Sequence, residues 1–294
     1  MKITPFSLFD KFIDLSFKKN GLEFCQIDLG EYIMEYWISK ADKPAVVLLH
    51  AFGPNGKYSW RKQIKILSKE YKIIIPNLLY FGNSTKKKNS TYNISEQIEA
   101  LTQLLKHLKL DHFILGGTSY GGAIAFELLH EKSFSIQKLF ITNSPVKYVF
   151  NDGWDKIMKD FKANKKSDLL IPNDYIKLKK LHDLTNYKKK YYPKFVFKDI
   201  YNTIYTHQSQ ERKYLVDAFE DDQKYLKYRV YKTDVPILLV WGEKDLISKL
   251  KTAKYLKRHL GENARLEIIP KTGHVPHIEK TAIFNKILID FISN

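Results

Sequence analysis

The chain has 294 residues and a mass of 34.6 kDa; 44% of them are apolar and 28% charged, a globular composition that excludes wholesale disorder. No run of about 18 apolar residues occurs, so no spanning helix is expected, and the single cysteine, Cys25, excludes an internal disulfide and fits a reducing compartment. Lys and Arg number 49 against 32 Asp and Glu, a formal charge of +17, which suits anionic lipid, acidic substrates or nucleic acid, and equally a chain simply rich in lysine.

Residues 1–20 mix Lys with Asp and show no apolar stretch ending in a small-residue cleavage site, so they do not read as a secretory leader. Phe6, Phe9, Phe12, Ile13 and Phe17 recur at helical spacing, with Lys2, Lys11, Lys18 and Lys19 among them. Such a stripe either docks on its own domain or lies in a membrane interface. From Glu23 to Ile38 the chain reads as a hairpin turning at Asp28-Leu29-Gly30. Short apolar runs then predict strands at Ala45–Leu49, Lys72–Ile75, His112–Leu115, Lys138–Thr142, Val235–Trp241 and Arg265–Ile269, each with the content of a strand buried on both faces. Between them Ile98, Leu101, Leu105 and Leu108 mark an amphipathic helix, another follows Ser119, and a last one covers roughly 280–293. Alternating strands and helices predict an α/β domain, a mostly parallel sheet with helices on both faces.

One interval breaks the alternation. No clean buried strand lies between Ser144 and Asp234, where helical patterns, aromatics and lysines dominate. Residues 146–234 carry 20 basic against 13 acidic side chains, and 156–198 carry 13 against 4. The expected organisation is a first core part at 1–145, an inserted helical subdomain at 146–234 and a second core part at 235–294.

His112–Gly116 runs into Gly117-Thr118-Ser119-Tyr120-Gly121-Gly122 and then a helix from Ala123 to about Glu131. This is G-x-S-x-G in strand–turn–helix context, a nucleophile elbow. Side chains at the positions of Gly117 and Gly121 would collide with strand and helix in so tight a turn, and the helix N-terminus aims its free N–H groups and positive dipole end at the serine oxygen. A serine hydroxyl needs a base, and the base needs a group to hold its tautomer. The strand Val235–Trp241 ends in Gly242-Glu243-Lys244-Asp245, which offers Asp245 or Glu243 as the acid. Beyond Arg265–Ile269, Pro270-Lys271-Thr272-Gly273-His274 supplies His274, with His277 three residues on as the competitor. His274 and His277 with Glu279 do not make a metal site, because no further ligand of suitable spacing accompanies them. After Ala45–Leu49 comes His50-Ala51-Phe52-Gly53-Pro54, a loop suited to an oxyanion hole whose expected donors are the N–H groups of Phe52 and Tyr120. His50, Gly53 and Thr118 are the candidates for the substrate pocket.

These landmarks, together with Pro76-Asn77-Leu78-Leu79-Tyr80-Phe81-Gly82-Asn83-Ser84 and Gly273-His274-Val275-Pro276-His277, resemble the α/β-hydrolase family from about residue 23 to the C-terminus. The resemblance implies a Ser119–His274–Asp245 triad, a helical cap at 146–234 and no cofactor. Two positions depart from the family pattern: Ala51 stands where glycine is usual, and Asn77 where a generally structural aspartate is usual. A serine nucleophile argues against the epoxide hydrolases and haloalkane dehalogenases of the family. The expected activity is ester hydrolysis of the carboxylesterase or monoacylglycerol lipase kind, on small or acyl-chain substrates, in the cytoplasm or at an anionic membrane surface. A carbon–carbon hydrolase of the meta-cleavage type, with Arg212 as anion partner, and a ligand-sensing receptor on the same fold are the alternatives. No nucleic-acid recognition motif is present, so nucleic acid is not an expected partner.

Overall fold

The structure, a computed structural model, describes residues 3–146, 154–189 and 191–294. Nine strands form one sheet: β1 (Leu22–Asp28), β2 (Tyr32–Ser39), β3 (Ala45–Leu49), β4 (Lys72–Pro76), β5 (Thr85–Lys86), β6 (His112–Thr118), β7 (Ser135–Thr142), β8 (Ile237–Gly242) and β9 (Ala264–Ile269). Their order is β1-β2-β4-β3-β6-β7-β8-β9, with β5 on β2. From β4 onward along this path the neighbours pair in parallel, and β2 pairs antiparallel with β1, β4 and β5. This is the mostly parallel α/β sheet that the alternation predicts.

The period-two geometry of strands explains the layering. Val47, Leu49, Leu239 and Trp241 face one core, shared with the helices Ile94–His107, Tyr120–Glu131 and Leu250–Leu260. Their neighbours Val46, Leu48, Leu238 and Val240 face the other, shared with the N-terminal helix Pro5–Lys19 and the C-terminal helix Thr281–Ser293. Both faces are covered, so β3 is buried at all five positions. β9 departs from the expectation of burial on both faces. It lies at the sheet edge, where Arg265 pairs with Glu267 and Asp290, and Ile268 is exposed.

The helix Pro5–Lys19 starts at a Thr4–Ser7 capping box. It docks through Phe6, Ile13 and Phe17, with Phe17 edge-on to Trp37 at 4.9 Å. Burying each such side chain is worth about 1.5–3 kcal/mol. Lys57 clamps Asp10 and Asp14 at 2.7 Å each, and the Phe6 N–H donates to Asp199 at 2.8 Å. The apolar stripe is wider than this docking site, because Leu8, Phe9, Phe12 and Leu15 stay exposed.

Within 146–234 every regular element of the described residues is helical: Trp154–Phe161, Lys166–Leu170, Tyr175–Thr185, Lys194–Ile200 running into the wide turn Tyr201–Tyr205, and Ser209–Leu226. These helices pack around small cores of their own, one at Leu169 and Leu181 and one at Leu178 and Phe197.

Candidate active site

The site gathers at the C-terminal ends of β3, β6, β7 and β8, where loops from neighbouring parallel strands meet. Ser119 sits between β6 and the helix Tyr120–Glu131 with φ 51° and ψ −118°. A side chain rarely adopts such a backbone, and the cost is about 1–3 kcal/mol. Close packing holds it there. A Cβ on Gly117 would lie 2.5 Å from the Gly121 carbonyl oxygen, and one on Gly121 would lie 2.5 Å from that of His50. The elbow is therefore wedged between its own helix and the end of β3.

Three side chains named from the sequence are in direct contact. The Ser119 Oγ lies 3.0 Å from His274 Nε2, and His274 Nδ1 lies 2.8 Å from Asp245 Oδ2. With a carboxylate at Nδ1, a neutral ring keeps its proton there and turns Nε2 to the serine as an acceptor. The carboxylate is fixed on both sides. Its Oδ1 accepts from the N–H groups of Ile247 (2.8 Å) and Ser248 (3.1 Å), and its Oδ2 also accepts from Asn143 Nδ2 at 2.5 Å. The His274 N–H donates to Thr185 at 2.7 Å, so the inserted helices hold the histidine loop.

The competitors lie elsewhere. Glu243 accepts from the Lys271 N–H at 3.1 Å and pairs with Lys244 at the surface. His277 is buried between Trp60 and Phe284. Glu279 takes the backbone N–H groups of Gly273, Tyr187 and Lys188.

Ser119, Tyr120, Phe52 and His274 line a cavity of about 530 Å³. The Phe52 and Tyr120 rings stack at 4.1 Å. Tyr120 opens its helix, so its N–H is one of the donors that a helix start leaves free. The inserted helices supply an apolar wall that includes Leu178, Phe197, Ile204, Val216 and Phe219, and Pro5, Phe6 and Phe9 of the N-terminal helix complete another side.

Three expected pocket residues do not line this cavity. His50 is fully buried, with Nδ1 on the Ala51 carbonyl (2.8 Å) and Nε2 accepting from the Leu78 N–H (3.0 Å). Burial holds its pKa down to about 4. Thr118 ends β6 inside the protein. Gly53 faces a smaller adjoining cavity with Arg212. Arg212 is not free for an anion either, since its guanidinium donates to the carbonyls of Gln208, Gly53, Ile204 and His207. Sequence reasoning missed Asn143 and Ser144, whose hydroxyl donates to the Ser119 carbonyl at 2.6 Å. Their place just after a strand expected in the sheet was the available signal. Asn77, the departure from the family pattern, is structural: it accepts from the Gly56 N–H and donates to Glu35.

Burial also keeps His277 neutral, with a pKa lowered to about 3. An unfolded histidine titrates near 6.5, so between those values the unfolded chain binds one more proton and stability falls as pH falls. Exchanging His277 for phenylalanine should flatten the slope of unfolding free energy against pH by about 1.4 kcal/mol per unit between pH 6 and 4. Urea titrations across that range measure it, and an unchanged slope would contradict a neutral buried ring.

The model of the alpha/beta hydrolase fold matches residues 44–281. The chain belongs to the alpha/beta hydrolase fold family. Among curated members, this hydrolase-fold chain is similar to Lipase 3 of Moraxella sp. (strain TA144), 28% identical over 235 residues that cover 80% of this chain and 72% of that protein. It is also similar to Monoacylglycerol lipase ABHD6 of Bos taurus, 22% identical over 258 residues, 86% of this chain and 76% of the other. A solved bacterial membrane phospholipase A shares the fold with a TM-score of 0.81 at 18% identity, over 99% of this chain and 93% of that one. Among the described residues no helix is long and apolar enough to cross a membrane.

Proposed function

We propose that the chain is a serine hydrolase that cleaves carboxylic esters of acyl-chain substrates. The observation that carries this reading is the Ser119–His274–Asp245 relay opening on an apolar cavity. Ser119 attacks the ester carbonyl while His274 takes its proton, and Asp245 stabilises the imidazolium. The N–H groups of Phe52 and Tyr120 receive the oxyanion. His274 then protonates the leaving alcohol and activates water against the acyl-enzyme. Residues 146–234 act as the cap that walls the acyl site. No cofactor takes part. The lipase and monoacylglycerol lipase relatives support ester hydrolysis.

The surface around the cavity suits an anionic membrane. Exposed Phe9, Phe12 and Leu15 lie on the N-terminal helix with Lys11, Lys18 and Lys19, and exposed Tyr191 and Phe195 lie near Lys194 and Lys198. Apolar insertion and basic attraction then act together. Arg212, the anion partner expected for carbon–carbon hydrolysis, spends its donors on backbone carbonyls and is not available for that role.

A p-nitrophenyl ester series tests the reading. Each methylene buried in the cavity should raise kcat/KM by about fourfold until the site is full. A monoacylglycerol carried in anionic vesicles should be hydrolysed faster than in neutral ones at low salt, and salt should erase the difference. Absence of turnover on every ester would refute ester hydrolysis and favour a ligand-sensing role. Equal rates on the two vesicles would remove the membrane part alone.

A further inference from the structure

Among the described residues, one cation lining the cavity, Arg61, has no carboxylate against it. Lys166 and Glu220, also in the lining, pair at 2.7 Å. The Arg61 Nη1 donates to the Tyr58 carbonyl, and its guanidinium lies over the Phe9 ring at 5.8 Å. The acids of the N-terminal helix, Asp10 and Asp14, are already engaged by Lys57 and the Tyr58 hydroxyl. A partly buried guanidinium with donors to spare gains when an anion meets it. Burial indeed lowers the Arg61 pKa. Arg212 makes the contrast, since backbone carbonyls receive its donors.

A second group points the same way. His277 lines the same cavity and is 2% exposed, and its Nδ1 has no hydrogen-bond partner among the described residues. Arg61 and His277 line the same cavity, and the charge of Arg61 is one cause of the lowered His277 pKa.

We propose that Arg61, with His277 in the same cavity, receives a phosphate or carboxylate group of the substrate, so that the preferred ester carries an anionic headgroup. This rests on Ser119 being the ester-cleaving nucleophile of the same cavity. A guanidinium matches such planar or tetrahedral oxyanions with paired N–H donors.

Binding of non-hydrolysable ethers separates the two ideas. Calorimetry on the full chain would compare a short 1-alkylglycerol, its 3-phosphate and its 3-O-carboxymethyl ether, all below their micelle thresholds. The better anionic ether should bind about 30-fold tighter than the neutral one, the gain of a charge-assisted contact. The order of the phosphate and the carboxymethyl ether tells which oxyanion the site prefers. Arg61→Gln should remove most of that gain. Arg61→Met, which keeps the apolar stem, serves if the first variant fails to fold. Equal affinities in the wild type, or a preference that survives both variants, would overturn the proposal and assign the effect to overall charge. The matching esters are then assayed. An anionic ether preference without turnover of any ester would fail the hydrolase reading and leave the anion site standing.

Discussion

Alanine at position 119 should lower kcat on a p-nitrophenyl ester by about a millionfold while the protein stays folded. The expectation comes from the geometry of the elbow. Ser119 Oγ is the side-chain atom at His274 Nε2, 3.0 Å away, and no other hydroxyl is placed on that ring nitrogen among the described residues. Members of such a relay act as a unit, and removing the nucleophile costs about as much as removing all of them. Alanine keeps the Cβ, so the backbone at φ 51° is no more strained than before. Single-turnover kinetics with thermal unfolding as the fold control measure both halves. Activity within tenfold of the wild type would place the nucleophile elsewhere.

Asp245→Asn should reduce kcat by about 10⁴-fold. The hydrogen bonds of the carboxylate dictate how the new amide sits. Its oxygen must take the Oδ1 place, because the N–H groups of Ile247 and Ser248 are fixed donors there. Its NH₂ then takes the Oδ2 place, facing His274 Nδ1 and Asn143 Nδ2. A donor at Nδ1 drives the imidazole proton to Nε2, and the ring no longer accepts from Ser119. Asn143 meets a second donor where it had an acceptor. The loss should fall on kcat, and Glu243→Gln, at the surface, should stay within about twofold of the wild type. A loss below tenfold for Asp245→Asn would remove Asp245 from the relay.

The sheet was legible because strands buried on both faces leave short, dense apolar runs such as Ala45–Leu49 and Val235–Trp241. β5 escaped because two residues carry no period. β9 was legible as a strand but not as an edge, since position in a sheet depends on partners that the sequence does not order. Ser119, Asp245 and His274 could be found because each follows a recognisable strand, with the family resemblance choosing Asp245 over its neighbour Glu243. Asn143 could not, because an asparagine after a strand is usually just a turn residue. Pocket residues were read least well. His50 is held inside by the Leu78 N–H and the Phe81 ring, and Thr118 by its place at the end of a central strand, and nothing local in either residue records those neighbours. Arg212 shows the same limit: its charge was visible, while the four carbonyls that absorb its donors come together only in the fold.

The N-terminal helix is part of the cavity wall through Pro5, Phe6 and Phe9, and it is tied to the inserted helices by the Phe6–Asp199 hydrogen bond. Anything fused ahead of Thr4 therefore emerges beside the cavity wall. An affinity tag placed there will alter apparent KM values without touching a reacting group, whereas one fused after Asn294 follows the helix Thr281–Ser293, which contributes no residue to the cavity lining. Tag placement thus becomes an assay variable, and preparations tagged at opposite ends are not interchangeable for measuring chain-length preference.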